Sequence, residues 1–479
     1  MSDHRPDPRR WQVLVLLSAA FFMTVLDSTI LLTALPSVEA GLEVSGAAVG
    51  WTVTGYGLAF SGLLLCCGRL ADVFGRKRVF LAGMVLRVLS ALLCGLAPSV
   101  QFLIAARALQ GVSAAIIAPA ALSLLMTAFP DGPERNRALG IWGGLGGVGA
   151  TSGLLLGGVI TDVLGWRWVF LINVPVGLAV LAVGSVLLRE ARAAGRGRLN
   201  VAGALTVTAA LVLLVYTIIE LPSRGWTGAT AAALGSSVAL FALFWLIETR
   251  ATAPLVPARL LRSRSLVGGN AVILAAGMAV DGMLITLTGY LQQAMGASAL
   301  RFGLVAAVMT VASVAGGLGS QRAALGFGVR RVAMVGAALL VVGCLLLTRV
   351  SAAGSVGLLL VGQLIFGVGM GATFVCAQIA ALTGASEADS GLAAGVVDTS
   401  FSMGTALGIA ICTSVAAAVT RLSTEDGLGT ADGLVAGHRA AFGTAGGLAL
   451  LGLVAAVALL PRDSVRLERD AEPAAPACR

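Results

Sequence analysis

The sequence predicts an all-α polytopic membrane protein, and three observations carry that reading. Hydrophobic residues fill 58% of the 479 positions and charged residues only 11%, against about 25% charged in an ordinary soluble domain. Apolar runs long enough to cross a bilayer, about 20 residues each, succeed one another along nearly the whole chain. The remaining charge collects in short loops between the runs. A soluble chain of this length would need a polar surface that this composition does not supply. A disordered chain would need far more charge. In the hydrocarbon core a backbone must satisfy its own hydrogen bonds, and single apolar runs do so as helices.

The first run, 11–35, follows Arg5, Arg9 and Arg10. It is too long for the apolar region of a secretory signal, and no small-residue cleavage site follows it. It is read as the first span. The next runs are 48–68, 79–97, 102–128, 137–162 and 166–188. Then come 199–221 and 228–248, followed by 266–291, 302–320, 332–349, 355–383, 393–420 and 439–460. That makes fourteen spans. Alternate loops hold the basic residues: Arg69, Arg76, Lys77 and Arg78 after span 2, and Arg135 and Arg137 after span 4. Four arginines follow span 6 and four follow span 8; Arg322, Arg330 and Arg331 follow span 10. The tail carries Arg462, Arg466 and Arg469. Short basic loops stay cytoplasmic. Both termini are therefore expected in the cytoplasm, with the spans in a bacterial plasma membrane. The loop GASEADSG after span 12 is acidic and breaks the pattern, but acids weigh little in this rule.

Three short echoes divide the chain. FGRKRV at 74–79 recurs as FGVRRV at 327–332, RALQGV at 107–112 as QLIFGV at 363–368, and MTVLD ending at Asp27 as MAVD ending at Asp281. Nearly equal offsets in chain order predict two parallel halves, with spans 7 and 8 inserted between them. Such a repeat, about an axis normal to the membrane, is a transporter architecture. The organisation expected is a cytoplasmic N-terminus (1–10), a six-helix half (11–188), two inserted linker helices (199–248), a second six-helix half (266–460) and a flexible cytoplasmic tail (463–479).

The counts also remove function classes. The net charge is +9, but the arginines set orientation and form no nucleic-acid face. Lys77 is the only lysine and Arg78 follows it, so there is no Gly-Lys-Ser/Thr phosphate loop and no direct use of ATP. His4 and His438 are too far apart in sequence for a multi-histidine metal motif. Of the seven cysteines, Cys66, Cys67, Cys94, Cys344, Cys376 and Cys412 fall inside apolar runs and read as small buried hydrophobes. No cofactor is expected, and no enzyme.

A charge at mid-membrane costs about 2.5–3.5 kcal/mol on the insertion scale, so the few in-span charges mark the chemistry. Counted at 1.5 Å per residue, Asp27 in span 1 lies about 12 Å below the outer face and Arg107 in span 4 about 8 Å. At that common depth Asp27 is either a proton-binding carboxylate governed by desolvation and a movable arginine or half of a fixed ion pair. Asp281 in span 9 has a similar depth, and Asp398 lies toward the cytoplasmic end of span 13. Facing a central cavity, either would bind a proton or a cationic substrate; otherwise each is a capped or water-exposed helix residue. Arg87, about 12 Å into span 3, snorkels or meets an acid. Glu220 and Glu248 read as solvated ends of spans 7 and 8. Gly149, Gly153 and Gly157 recur at four-residue steps in span 5, as do Gly143 and Gly147. Such a stripe admits a close neighbouring helix. In the second loop, Gly68 and Gly75 permit tight turns, and Asp72 and Arg76 can pair if the segment is helical.

That loop, GRLADVFGRKR, resembles the signature loop between spans 2 and 3 of the major facilitator superfamily. RALQGV resembles the span 4 motif of its proton-coupled members. LDSTILLTALP and GWRWVFLINVPVG are similar to segments of the fourteen-span drug:proton antiporters, the EmrB/QacA-type branch. The resemblance implies the major facilitator fold. It implies that Arg107 is linked to proton movement and Asp27 to coupling or substrate. It implies that Asp72, with Gly68, Gly75, Arg76 and Arg78, belongs to a conformational-switch loop. The chain also departs from the pattern. Leu154 stands where the span 5 antiporter motif has proline after Gly153, Leu32 replaces the usual asparagine, and Phe401-Ser402 replaces an Arg-Gln pair.

The expectation is a drug:H⁺ antiporter that exports drug-like or antibiotic molecules by alternating access. Its partners would be an amphipathic small molecule, protons and the lipid bilayer, with no nucleic acid, and it would work as a monomer. The missing proline keeps a proton-coupled importer or facilitator of a small metabolite as the alternative. The Ala, Gly and Arg richness points to a GC-rich genome and a host that makes its own antibiotic.

Overall fold

A computed structural model describes residues 9–44, 46–129, 133–190, 200–251, 254, 263–351, 354, 356–383 and 387–461. Every regular element among them is helical. The first half comprises α1 (Arg10–Leu42), α2 (Gly46–Phe74), α3 (Arg76–Gly95), α4 (Val100–Ala128), α5 (Pro133–Leu164) and α6, a short turn Trp168–Leu171 continued as Asn173–Leu187. The inserted pair is α7 (Val201–Arg224) and α8 (Gly228–Arg250). The second half comprises α9 (Arg264–Thr288), prolonged by a π-helical turn Gly289–Ala294, then α10 (Ala299–Phe327), α11 (Val329–Leu347), α12 (Val356–Leu382), α13 (Glu387–Glu425) and α14 (Thr430–Leu459). Among the described residues fourteen helices thus stand where the fourteen apolar runs lie, and twelve of them are long and apolar enough to cross a membrane by themselves.

Local chemistry sets the boundaries. Ser99, Asn200, Ser263 and Ser298 each accept a hydrogen bond from a backbone N–H three residues on, and Thr227 and Thr230 form a capping box. These side chains satisfy donors that a helix start leaves free. Gly75 and Gly328 stand at φ +99° and +90°, a conformation that glycine adopts without strain. They occupy equivalent places in the two copies of the loop motif and separate α2 from α3 and α10 from α11. Asp72 and Arg76 therefore belong to different helices, and the helical pair expected from their spacing has no common helix to form on. Glu248, read as a solvated end, is buried instead (7% exposed) and accepts a hydrogen bond from Asn200 at 2.9 Å. The inserted pair packs back on itself there.

The glycine stripe of α5 lies against α1. A Cβ on Gly153 would meet the Thr29 hydroxyl and come within 2.7 Å of the Leu26 carbonyl; one on Gly157 would come within 2.8 Å of the Ile30 carbonyl. In the second half Gly404 and Gly408 of α13 face the Leu274 and Met278 carbonyls of α9 in the same way. Small residues at these crossings let the backbones touch.

The apolar core shows how the halves meet. One large cluster joins them at the end away from the basic loops, including Leu31, Leu35 and Val38 of α1 with Met283, Leu287 and Phe302 of α9 and α10. At the basic-loop end the clusters part. One uses only the first half, among it Leu17, Phe80, Leu125 and Phe129; another uses only the second, among it Ile273, Val329, Ala377 and Val397. Polar links between halves also sit at the joined end. Gln292 donates to the Thr33 carbonyl at 3.0 Å, Gln293 to the Glu39 carboxylate at 2.6 Å, and the Leu300 N–H to Asp162 at 3.2 Å. Helix α7 braces the seam, with Leu211 and Val215 packed on Leu58 of α2 and on Ala406 and Ala410 of α13.

Candidate functional site

Asp27 is completely buried in α1 (0% exposed). Its Oδ2 accepts from Arg107 of α4 at 2.7 Å and lies 3.2 Å from Nη2 of Arg87 on α3. Its Oδ1 accepts from Gln110 and from Asn173, each at 3.3 Å. Three helices, α3, α4 and α6, thus deliver donors to one carboxylate on α1. Asp27 and Arg107, expected in the same outer half of their spans, form a direct ion pair.

Both arginines are themselves buried (0% exposed). Arg107 Nε donates to the Thr52 carbonyl at 3.1 Å, and its Nη1 also reaches Gln110 Oε1 at 2.7 Å. Its guanidinium stands 4.4 Å above the Tyr56 ring, a cation–π contact strengthened by the dry surroundings. Arg87 Nη2 donates to the Met23 carbonyl at 3.1 Å. Nη2 of Arg107, and Nε and Nη1 of Arg87, find no hydrogen-bond partner among the described residues. Two cations around one anion leave the cluster with an excess of positive charge.

The second half is built differently. Asp281 accepts a hydrogen bond from the Thr405 hydroxyl of α13 at 2.6 Å and is only partly buried. It belongs to a stripe of partly exposed residues on α9, with Asn270, Leu274, Met278 and Ile285, on a helix whose other residues from Val272 onward are buried. These positions recur at three and four residues and form one face. Asp398 of α13 is exposed. It precedes Thr405 by two helical turns, so both project from the same side, with Phe401 between them. Phe401 makes an edge-on contact with Phe374 of α12, centroids 5.4 Å apart. An exposed carboxylate on an intramembrane helix needs water, and the cleft between the parted halves is the place for it. Among the described residues neither Asp281 nor Asp398 forms an ion pair.

In the switch loop Gly75 turns against Glu190, whose carboxylate accepts from the Lys77 N–H at 3.2 Å and stands 3.7 Å from Arg78. Arg76 donates to the Ser123 carbonyl and the Thr127 hydroxyl of α4, and Lys77 Nζ to the Ser185 carbonyl at 2.7 Å. The loop thus ties α3 to α4 and α6. Gly68, Asp72, Gly143 and Gly147 are helical, but the surroundings of the three glycines and the Asp72 side chain lie outside what the structure describes.

Sequence reasoning did not find Gln110, Asn173, Tyr56, Glu190 or Thr405. Gln110 was within reach of it, standing three residues after Arg107 and so on the same helix face. Asn173 is a polar residue in an otherwise apolar stretch of α6. Nothing in the sequence marks Thr405 among the many hydroxyls of the spans.

Two helical halves joined at one end and parted at the other, with buried charges in the first and partly or fully exposed in-span carboxylates in the second, define a membrane transporter by class. The sequence profile of the Major Facilitator Superfamily matches residues 17–280 and 270–476, and the chain belongs to that family. It is 37% identical over 470 residues to the puromycin resistance protein pur8 of Streptomyces alboniger, covering 95% of this chain and 92% of that one. It is 33% identical over 405 residues to the tetracenomycin C resistance and export protein of Streptomyces glaucescens, covering 84% and 75%. Among solved structures, the POT family transporter PepTSo superposes with a TM-score of 0.67 at 15% identity, covering 95% of this chain and 98% of that one. That likeness concerns the fold.

Proposed function

We propose that this protein is a proton-coupled exporter of antibiotic-type small molecules in a bacterial plasma membrane. It works by alternating access as a monomer, with no cofactor and no reaction chemistry. The observation that carries this reading is the pair of in-span carboxylates, Asp281 and Asp398, which form no ion pair among the described residues, on the wall of a cleft between halves joined at one end. The printed names of the relatives support the substrate class, one for puromycin and one for tetracenomycin C. The basic loops support an orientation with both termini in the cytoplasm. The cleft then opens inward, and the joined end faces outside.

In this cycle an amphipathic substrate enters from the cytoplasm or inner leaflet and packs on the apolar wall near Phe374 and Phe401. The halves rock, the outer end opens, and protonation of in-span carboxylates releases the substrate. Re-opening inward returns the protons to the cytoplasm. Each proton crossing 100 mV supplies about 2.3 kcal/mol, so one or two sustain a useful gradient without ATP. Asp27 with Arg107 is the coupling cluster, and the Gly75–Arg78 loop holds the first half together at its cytoplasmic face. Expression in a pump-deficient bacterium should raise tolerance to puromycin, and an uncoupler should erase the gain. Unchanged tolerance across a panel of antibiotics, or protection that survives the uncoupler, would count against the proposal.

A further inference from the structure

The cluster around Asp27 contains one guanidinium more than charge balance needs. Arg107 alone, at 2.7 Å, would neutralise the carboxylate. Arg87 stands 3.2 Å from the same oxygen and is just as completely buried. Taking a second cation out of water is unfavourable, and two of its nitrogens lack partners among the described residues. Packing does not call for such a group.

The internal repeat supplies a control. In the second half, Asp281 takes the place of Asp27. At the offset of the span 4 motif Arg107 falls on Gln363, and at that of the loop motif Arg87 falls on Leu340. Gln363 is buried, donates to the Met283 sulfur at 3.2 Å and leaves its own Oε1 without a partner among the described residues. Asp281 has the Thr405 hydroxyl and, among the described residues, no guanidinium. One framework thus surrounds one carboxylate with cations and leaves the other without them.

We infer that Arg87 is the resident counter-ion of Asp27, a positioning residue that excludes this carboxylate from proton carriage, so that the coupling proton rides on Asp281 and Asp398. Arg107 is then the mobile partner. It has holds that do not depend on Asp27, namely the Thr52 carbonyl, Gln110 and the Tyr56 ring. When it leaves, Arg87 remains, fixed to the Met23 carbonyl one helical turn before Asp27. The carboxylate is never bare and has no need of a proton. The other polar or titratable groups facing Asp27 are Tyr56 from α2, Cys94 from α3, Gln110 from α4 and Asn173 from α6. From α5 the glycines Gly149, Gly153 and Gly157 face this stretch of α1, and no second acid stands beside Asp27 among the described residues.

This inference rests on the proton-coupled reading but is tested without transport. Infrared difference spectra of the full-length protein in lipid, taken across about pH 5 to 9, count the dry carboxyl groups that take up protons. The expected wild-type bands disappear in Asp281→Asn and Asp398→Asn, and the double variant retains none. Arg87→Met is expected to add one titrating carboxyl band, and Arg87→Lys, which keeps the charge, to add none. A band that survives in the double variant, an Arg87→Met spectrum identical to wild type, or no titrating band at all overturns it. If Arg87→Met fails to fold, the double variant decides alone. Export itself is judged separately, by the tolerance assay.

Discussion

Asp27 with its two arginines is an all-or-nothing arrangement, because no member is solvated. Asp27→Asn leaves two buried guanidiniums without their anion. Losing one partner of a buried ion pair costs about 3–5 kcal/mol. The variant should therefore show a markedly lower unfolding temperature in detergent, or fail to accumulate. Retention of wild-type thermal stability would mean that the cluster is far wetter than its burial indicates. Sequence depth alone placed Asp27 and Arg107 at one level of the membrane. It put Arg87 about 12 Å into span 3 and left open whether it snorkels or meets an acid, because depth along a helix says nothing about which way a side chain faces. The three meet because α1, α3 and α4 pack together, which only tertiary structure decides.

Helix packing follows rules that are easier to read in advance. The four-residue spacing of Gly149, Gly153 and Gly157 predicted a close neighbour, and α1 is that neighbour. Gly153→Val would drive a side chain into the Leu26 carbonyl and the Thr29 hydroxyl. Overpacking of this kind costs about 1–3 kcal/mol. A lowered unfolding temperature is expected, and an unchanged one would show that α5 does not lie on α1. The first turn of α5 is also tied to the start of α1. The Glu134 carboxylate accepts from Arg10 at 2.8 and 3.0 Å, and this hydrogen bonding, with the added charge attraction, holds its pKa below the usual glutamate value. The sign follows directly. The link contributes fully above the ordinary glutamate range and is lost as pH falls through the lowered value. Because Glu134 is open to solvent, Arg10→Ala should lower stability slightly near neutral pH, less in high salt, and not at all in strong acid. A penalty that persists in acid would contradict this. The sequence did not expose the link, since Arg10 and Glu134 lie 124 positions apart.

At the scale of the whole molecule, composition and loop charge predicted fourteen helices and the repeat predicted two halves. Neither could tell which end of the cleft is closed. That depends on which inter-half contacts exist in a given state, and both states use the same sequence. The closed end is held by the large apolar cluster and by the hydrogen bonds of Gln292, Gln293 and Asp162. One such bond contributes about 0.5–1.5 kcal/mol. Gln293→Ala should therefore shift the balance toward the form open at that end by roughly two- to tenfold. Spin-label distances between the ends of α1 and α9 would report it, and an unmoved distance distribution would show that the apolar cluster alone closes the gate. Proton-driven export is the central claim, and the most direct test is a transport measurement in inside-out membrane vesicles. With the lumen made acidic, wild-type protein should accumulate puromycin against its gradient, and Asp281→Asn should abolish the accumulation without loss of folded protein. Accumulation that ignores the imposed pH gradient, or that persists in Asp281→Asn, would contradict the account.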